Sequence, residues 1–447
     1  MTSPPAPQPE VERDPAVEPA AREATHAPPS WSVDDLQALP MPELVALAEQ
    51  EGLDGVIGLN RQELLFELLK HRAHRAGAAF GAGVLDVLPD GFGFLRSRRH
   101  GYRSGPDDIY VSPSQVRRLN LKRGHFVGGP VRPPRDGERY FALLHVDTVN
   151  GASIADLRRR VPFESRTPIV PRVRLRLEHP GCSPALRAIE LLAPFGRGQR
   201  VLVQAPPQCG RTKLLTEIAL GIAHNKDVHV IVLLLDERPE EVTAVERKLA
   251  GVPHAEVVAS TFDEPPGRQL DLAELVLDRA RRMVEAEQDV ALVVDSLTAL
   301  ARACNTELPH SGKVLCAGFD ATSLLLPKRL FGAARQCEEG GSLTVVGAVL
   351  TETGSHADAL VAAELRGKGN CDLVLDRRQA ELHVFPAFDV ARTGTRREDE
   401  VVGPEEAAHL RALRARLLAE PEERRLSLLL EGIARTADNA ELLHGGL

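Results

Sequence analysis

The chain has 447 residues, enough for two to four domains, and its 43% hydrophobic and 26% charged content is that of an ordinary globular protein. A formal net charge of −8 gives no overall sign of nucleic-acid binding, and no apolar run approaches the ~18 residues needed to cross a bilayer. Met1 opens without the basic-then-apolar pattern of a secretory signal, and six cysteines (Cys182, Cys209, Cys304, Cys316, Cys337, Cys371) show neither CxxC pairs nor histidine at zinc spacing. These read as reduced cytosolic thiols, and a cytoplasmic protein without membrane contact is expected.

Residues 1–31 hold eight prolines among Ala, Glu, Ser and Thr, too little apolar surface to offset ordering entropy, so a disordered tail is predicted. Over 32–78 the apolar spacing turns helical, with Leu44, Leu47 and Ala48, then Leu64, Leu65, Leu68 and Leu69. Between 79 and 148 short alternating runs are separated by turns: Gly83–Leu88, Phe92–Arg96, Asp108–Val111, Phe126–Val131 and Tyr140–Val146. Five short strands in so few residues predict a small five-stranded barrel. A linker is expected over 149–170. Apolar strands then alternate with helical segments over 171–403, the pattern of a mostly parallel α/β sheet. The Leu/Ala/Arg/Glu-rich segment 404–447 is predicted to be helical.

The barrel segment departs from the composition of the rest. All three tyrosines (Tyr102, Tyr110, Tyr140) fall there, with Phe80, Phe92, Phe94, Phe126 and Phe141. Residues 61–135 carry 14 Lys/Arg against 6 Asp/Glu, a local excess inside an acidic chain. Basic groups neutralise phosphates while aromatic faces stack on unpaired bases, so the pair predicts a single-strand-binding barrel. Phe92 and Phe94, two apart in Gly91-Phe92-Gly93-Phe94-Leu95-Arg96, project from one face of a strand. The plainer alternative is that these rings fill the barrel core.

After the strand Val201–Gln204 comes Ala205-Pro206-Pro207-Gln208-Cys209-Gly210-Arg211-Thr212, leading into a helix from Lys213. A phosphate-binding loop reads GxxxxGK[ST] between strand and helix; its amides wrap the phosphates, its lysine reaches them and its hydroxyl holds Mg²⁺. Here the spacing, second glycine and threonine fit, but arginine stands for the lysine and alanine for the first glycine. Two further apolar strands end in carboxylates, Val230–Leu235 before Asp236-Glu237-Arg238 and Ala291–Val294 before Asp295. Carboxylates at strand ends beside a phosphate loop suit a water-mediated metal ligand (Asp295) and a base that polarises attacking water (Glu237). The guanidinium keeps the charge of lysine but is planar and bulkier, so hydrolysis should suffer more than binding.

Longer strings carry a family resemblance: Asp90–Arg96, Gly105–Gln115, Gly137–Leu144, Leu235–Thr243, Val258–Glu264 and Pro327-Lys328-Arg329. Over Ser32 to Arg397 the chain resembles the bacterial transcription termination factor Rho family. The resemblance implies a multidomain α+β and α/β protein: a helical N-terminal subdomain, a five-stranded OB/cold-shock-like barrel and a RecA-like P-loop ATPase domain. It implies a homohexameric ring, an RNA-dependent ATPase and 5′–3′ RNA–DNA helicase that uses ATP and Mg²⁺ and dislodges RNA polymerase from nascent transcripts.

By matching position, the resemblance implies RNA contacts at Phe92, Phe94, Arg96, Tyr110, Glu138 and Tyr140. It places two channel loops at Ser311-Gly312-Lys313-Val314 and Thr353-Gly354-Ser355-His356. It implies nucleotide contacts at Gln208, Cys209, Gly210, Arg211, Thr212, Lys213 and Arg238, with Phe385 stacking on adenine. Arg396 matches an arginine finger reaching across the subunit interface. Departures cluster where nucleotide chemistry and RNA pulling occur. Arg211 and Gln208 replace lysines, His383 and Ala299 replace arginines, and His356 replaces the lysine of the second channel loop. Two readings follow: a working terminator, supported by Glu237, Asp295, Thr212 and Arg396, or a catalytically impaired RNA-binding relative acting as regulator or mixed-ring subunit, supported by Arg211 and its companions.

Overall fold

The computed structural model describes residues 33–53, 61–76, 79–135, 137–157, 159–252, 254–309, 312–315 and 318–445. The tail predicted to be disordered, 1–31, lies outside them.

Three helices open the fold, α1 (Val33–Ala38), α2 (Met41–Gln50) and α3 (Arg61–Ala76). Five strands follow: β1 (Ala79–Val87), β2 (Gly93–Arg96), β3 (Ile109–Val111), β4 (Phe126–Arg132) and β5 (Phe141–Leu143), with α4 (Pro113–Arg118) between β3 and β4. β1 pairs antiparallel with both β2 and β4, β2 with β3, β5 with β4, and β3 with β5 in parallel, so the sheet closes into a barrel. Closure leaves no unpaired edge among the five. Leu44, Leu64, Leu65 and Leu68 of the helices share one core with Leu85, Leu95, Val127 and Phe141 of the barrel. The helical stripe read from the sequence is therefore a lid on the barrel.

The segment expected to be a linker carries the hairpin β6 (Thr148–Val149) and β7 (Ala152–Ser153), the helix α5 (Ile154–Leu157) and the strand β8 (Pro168–Ile169). Phe163 within it is fully buried, and its amide donates to Glu285 Oε1 at 2.7 Å. The segment is thus stitched to the second half of the molecule.

That half begins with β9 (Arg174–Leu175), α6 (Pro184–Leu192), β10 (Phe195–Gly196), β11 (Arg200–Ala205), α7 (Arg211–Ala223), β12 (Val228–Glu237) and α8 (Pro239–Leu249). Next come β13 (Ala255–Thr261), α9 (Pro266–Glu285), β14 (Asp289–Asp295), α10 (Leu297–Glu307), α11 (Leu325–Gly332), β15 (Arg335–Cys337) and β16 (Ser342–Leu350). It ends with α12 (His356–Leu365), β17 (Cys371–Val374), α13 (Arg377–Glu381), β18 (Gly394–Thr395), α14 (Glu398–Val402), α15 (Pro404–Ala419), α16 (Glu422–Arg435) and α17 (Asn439–Gly445).

The main sheet runs β13-β12-β14-β16-β11-β17-β18, parallel except for β18 at its edge. Its strands are near-continuous apolar runs because both faces are covered. Val201, Val203, Val230, Val232, Leu234, Ala291 and Val293 face one core, with Leu410, Leu417, Leu429 and Ile433 of the C-terminal helices. Leu202, Ile231, Leu233, Leu292 and Val294 face the other, against Leu272, Val276 and Ala280 of α9. The loops after β11, β12, β14 and β16 consequently open at one sheet edge.

The barrel and its following hairpin dock on β13 and α9 through buried polar contacts. Tyr102 donates to Glu256 Oε2 at 3.1 Å, and Arg279 Nε donates to Glu256 Oε1 at 2.9 Å. Asn150 Nδ2 donates to the Arg282 carbonyl at 2.8 Å. Burial alone would raise the Glu256 pKa, but Arg279 and His229 outweigh it and hold the carboxylate well below its usual range.

His125, at the start of β4, titrates far from its ordinary value. It is buried, its Nδ1 accepts the Lys122 amide at 3.0 Å, and burial together with the Arg282 and Arg160 charges lowers its pKa to about 3. The folded chain therefore keeps His125 neutral while the unfolded chain protonates it below about 6.5. Its contribution to stability is complete above about pH 6.5 and is lost as pH falls toward 3, about 2 kcal/mol of it between pH 7 and 5. Denaturant unfolding followed by tyrosine emission, which reports the barrel, should show this loss, and His125→Gln should remove it. Equal acid sensitivity in both proteins would assign the effect elsewhere.

Candidate nucleotide and RNA sites

On the barrel the alternation of β2 separates its residues by face: Gly93 and Leu95 point inward and are buried, whereas Phe92 and Phe94 are half-exposed outside. Phe94 lies edge-on to Tyr140 with ring centroids 4.8 Å apart, and Phe92 lies 5.8 Å from Phe94 and 5.7 Å from Tyr110. These four rings form one surface platform, and none belongs to the barrel core. Beside it opens a cavity of about 710 Å³ lined by Tyr110, Arg118, Arg132, Glu138 and Tyr140. Glu138 accepts both terminal nitrogens of Arg132, at 2.6 and 2.9 Å. Those bonds hold its carboxyl at about 2, well below the ordinary value.

The other barrel aromatics have different work. Tyr102 is 2% exposed and its ring belongs to the core beneath the barrel, with its hydroxyl spent on Glu256. Phe141 is a core ring, and Phe126 lies under the guanidinium groups of Arg98 and Arg279. Arg96 is also not a free cation. It is buried, paired with Asp108 and with Asp86 at 3.3 Å, and its guanidinium lies 5.2 Å from the Phe94 ring centroid. It supports the platform rather than offering charge at the surface. Arg118, exposed at the cavity wall, supplies that charge, whereas that of Arg132 is met by Glu138; sequence reading counted both only within the local basic excess.

At the sheet edge, β11 runs into the loop 206–210 and α7 starts at Arg211. Gln208 and Gly210 take positive φ, 65° and 76°, which curls the loop about the helix N-terminus. A cavity of about 400 Å³ adjoins it, lined by Cys209, Gly210, Lys213, Leu214 and Phe385, together with Ala185. The Phe385 ring is half-exposed above Gly210, a position suited to stacking on a flat base. Ser183 donates to Glu217 Oε2 at 2.7 Å on the far wall of this cavity. Sequence reading missed both, because Ser183 precedes the loop by more than twenty residues and Glu217 lies within α7, and neither is part of a motif.

Glu237 at the end of β12 and Asp295 at the end of β14 converge on Arg211. Arg211 Nε lies 2.7 Å from Asp295 Oδ1, its Nη2 donates to Glu237 Oε1, and Thr212 Oγ1 donates to Asp295 Oδ2 at 3.0 Å. Asp295 is fully buried. Burial first, then the neighbouring carboxylate, raises the Glu237 pKa against the pull of Arg211, and burial likewise raises that of Asp295. Glu237 and Asp295 thus meet as the strand-end pattern predicted, but as partners of a guanidinium. Mg²⁺ would require the Thr212 hydroxyl oxygen and a water shell on Asp295. Arg211 Nε, 2.7 Å from Asp295 Oδ1, sets a fixed positive charge where that water shell would stand, so these residues as arranged do not fit the ion.

Known proteins match most of this architecture. A model of the Rho termination factor N-terminal domain matches residues 35–77, and one of the Rho termination factor RNA-binding domain matches 81–155. The ATP synthase alpha/beta family nucleotide-binding domain matches 185–394. The transcription termination factor Rho of Pseudomonas fluorescens biotype C is 48% identical over 414 residues, spanning 92% of this chain and 98% of its own. This chain belongs to the Rho family. The Rho of Rhodopirellula baltica is 45% identical, spanning 92% of this chain and 80% of its own. That of Buchnera aphidicola subsp. Acyrthosiphon pisum is 47% identical, spanning 91% and 97%.

The remaining Rho-type positions lie where a partner could reach them. Lys313 and Val314 are exposed in the loop after α10, with Val314 bridged to Asp320; Ser311 lies outside the described residues. Gly354 and His356 are exposed at the start of α12, which Ser355 caps by accepting the Asp358 amide. Arg238 is exposed at the N-terminus of α8. Arg396 is exposed just beyond the edge strand β18, held by its amide bond to the Asn370 carbonyl at 2.8 Å. An exposed guanidinium at a sheet edge suits a role on a neighbouring subunit. Among the described residues no helix is long and apolar enough to cross a membrane.

Proposed function

We propose that this chain is an RNA-dependent ATPase of the termination-factor type, restrained at its nucleotide site. It grips single-stranded RNA on its barrel and assembles into a hexameric ring in which Arg396 of one subunit serves the nucleotide of the next. ATP hydrolysis then moves RNA 5′ to 3′ through the channel loops at Lys313, Val314, Gly354 and His356, and RNA polymerase is released. One observation carries this reading: the platform of Phe92, Phe94, Tyr110 and Tyr140 and the loop Gln208–Lys213 occur in one chain whose Rho relatives align along nearly all of it.

Within that scheme the loop amides and Lys213 hold phosphate, Phe385 stacks on the base, and Glu237 takes a proton from attacking water. Glu237 can act only when its carboxylate faces water, and Arg211 now holds it. That ion pair favours a second reading, in which the chain is an impaired relative that binds RNA and enters mixed rings as a regulator.

RNA-stimulated ATP hydrolysis of the unaltered chain and of Arg211→Lys separates the two. Restraint by Arg211 predicts that the lysine raises turnover by about 100-fold, the scale of one misplaced contact. Unaltered protein that already turns over at an ordinary enzymatic rate, about 1–1,000 s⁻¹, would remove the restraint. Unaltered protein that neither binds oligoribonucleotide nor forms rings would remove the whole scheme.

A further inference from the structure

Asp295 has no solvent contact, so its charge must be met inside the protein. Arg211 meets it with Nε at 2.7 Å and meets Glu237 with a second nitrogen. A lysine at this position would bring a single compact ammonium. The planar guanidinium instead spans two carboxylates from different strands, with Nη2 hydrogen-bonded to Glu237 and Nε in close ion contact with Asp295. Thr212 completes the arrangement by turning its hydroxyl proton onto the remaining Asp295 oxygen at 3.0 Å. A cation therefore already stands against Asp295, where the water shell of a divalent ion would have to sit. A hard divalent cation demands oxygen ligands with free lone pairs, and a second positive centre at this distance would be repelled.

We propose that Arg211 is a built-in cation standing where Mg²⁺ would be required, so that this site takes nucleoside di- or triphosphate without a divalent metal. The inference rests on the reading of Gln208–Lys213 as a nucleotide loop and concerns only the ion that accompanies the nucleotide. Phosphate would be met by the amides at the α7 N-terminus and by the exposed Lys213, neither of which depends on Asp295.

The test is a titration of the full chain with a fluorescent N-methylanthraniloyl ADP, once in saturating Mg²⁺ and once in EDTA. The unaltered protein should show affinities within about twofold of each other, whereas Arg211→Lys and Arg211→Ala should each bind about tenfold more tightly with Mg²⁺. Two variants are used because alanine leaves Asp295 unpaired and could impair folding; circular dichroism identifies that case and the lysine variant then decides. A tenfold Mg²⁺ dependence in the unaltered protein, or none in a folded variant, overturns the proposal while leaving the nucleotide reading intact. No binding under either condition overturns both, and oligoribonucleotide binding by the same sample then shows whether the barrel reading survives.

Discussion

Replacing Phe92 and Phe94 together by alanine should weaken binding of a single-stranded pyrimidine oligoribonucleotide by about 30-fold or more. Each base stacked on an aromatic ring contributes roughly 1–3 kcal/mol. The two rings touch each other and extend to Tyr110 and Tyr140, so their losses are coupled rather than independent. Folding should be little affected, because both rings are half-exposed and the barrel core is built from Leu85, Leu95, Val127 and Phe141. Fluorescence anisotropy at one fixed salt concentration measures the loss, since phosphate contacts make affinity steeply salt-dependent. Unchanged affinity would reduce the platform to surface covering.

The second large effect is expected far from either site. Gly124 joins α4 to β4 with φ of +88°, and a Cβ there would lie 2.4 Å from both the Asp278 carbonyl carbon and the Arg279 amide of α9. Gly124→Ala must therefore separate the barrel from the helix under it while adopting a left-handed backbone that alanine disfavours. Overpacking and backbone strain together should cost about 2–5 kcal/mol. The separation also strains the neighbouring Tyr102–Glu256–Arg279 contacts that tie barrel to sheet. We expect RNA to remain bound by the barrel but to lose most of its stimulation of ATP hydrolysis. Anisotropy and hydrolysis on the same preparation decide this, and normal stimulation would show that the docked interface does not transmit RNA binding.

The periodicity of Phe92, Gly93, Phe94 and Leu95 already separated one face from the other, because a strand alternates its faces whatever surrounds it, but only the closed barrel showed that the Phe92 and Phe94 face is the outer one. Nothing of that kind was available for Tyr102. It lies in the loop after β2, and its partner Glu256 is 154 residues away, so only chain folding could turn a ring counted with the RNA aromatics into an interdomain anchor. Arg96 is a similar case. Its place in the family string suggested an RNA cation, but burial beside Asp86 and Asp108 forces its charge to be satisfied internally. The helices after 404 were legible as helices, yet their docking on the main core was not, since an apolar stripe does not name its partner.

What the amino-acid order determined by itself were the local and chemical identities: a small barrel rich in aromatics, strands ending in Glu237 and Asp295, and an arginine in a loop that ordinarily carries lysine. Only the tertiary structure decided where that arginine's charge is used. The parallel sheet brings the ends of β12 and β14 beside α7, and burial of Asp295 leaves a carboxylate that cannot stand without a nearby cation. That demand arises from the low dielectric of a core assembled from segments distant in the chain, so no single stretch of sequence expresses it.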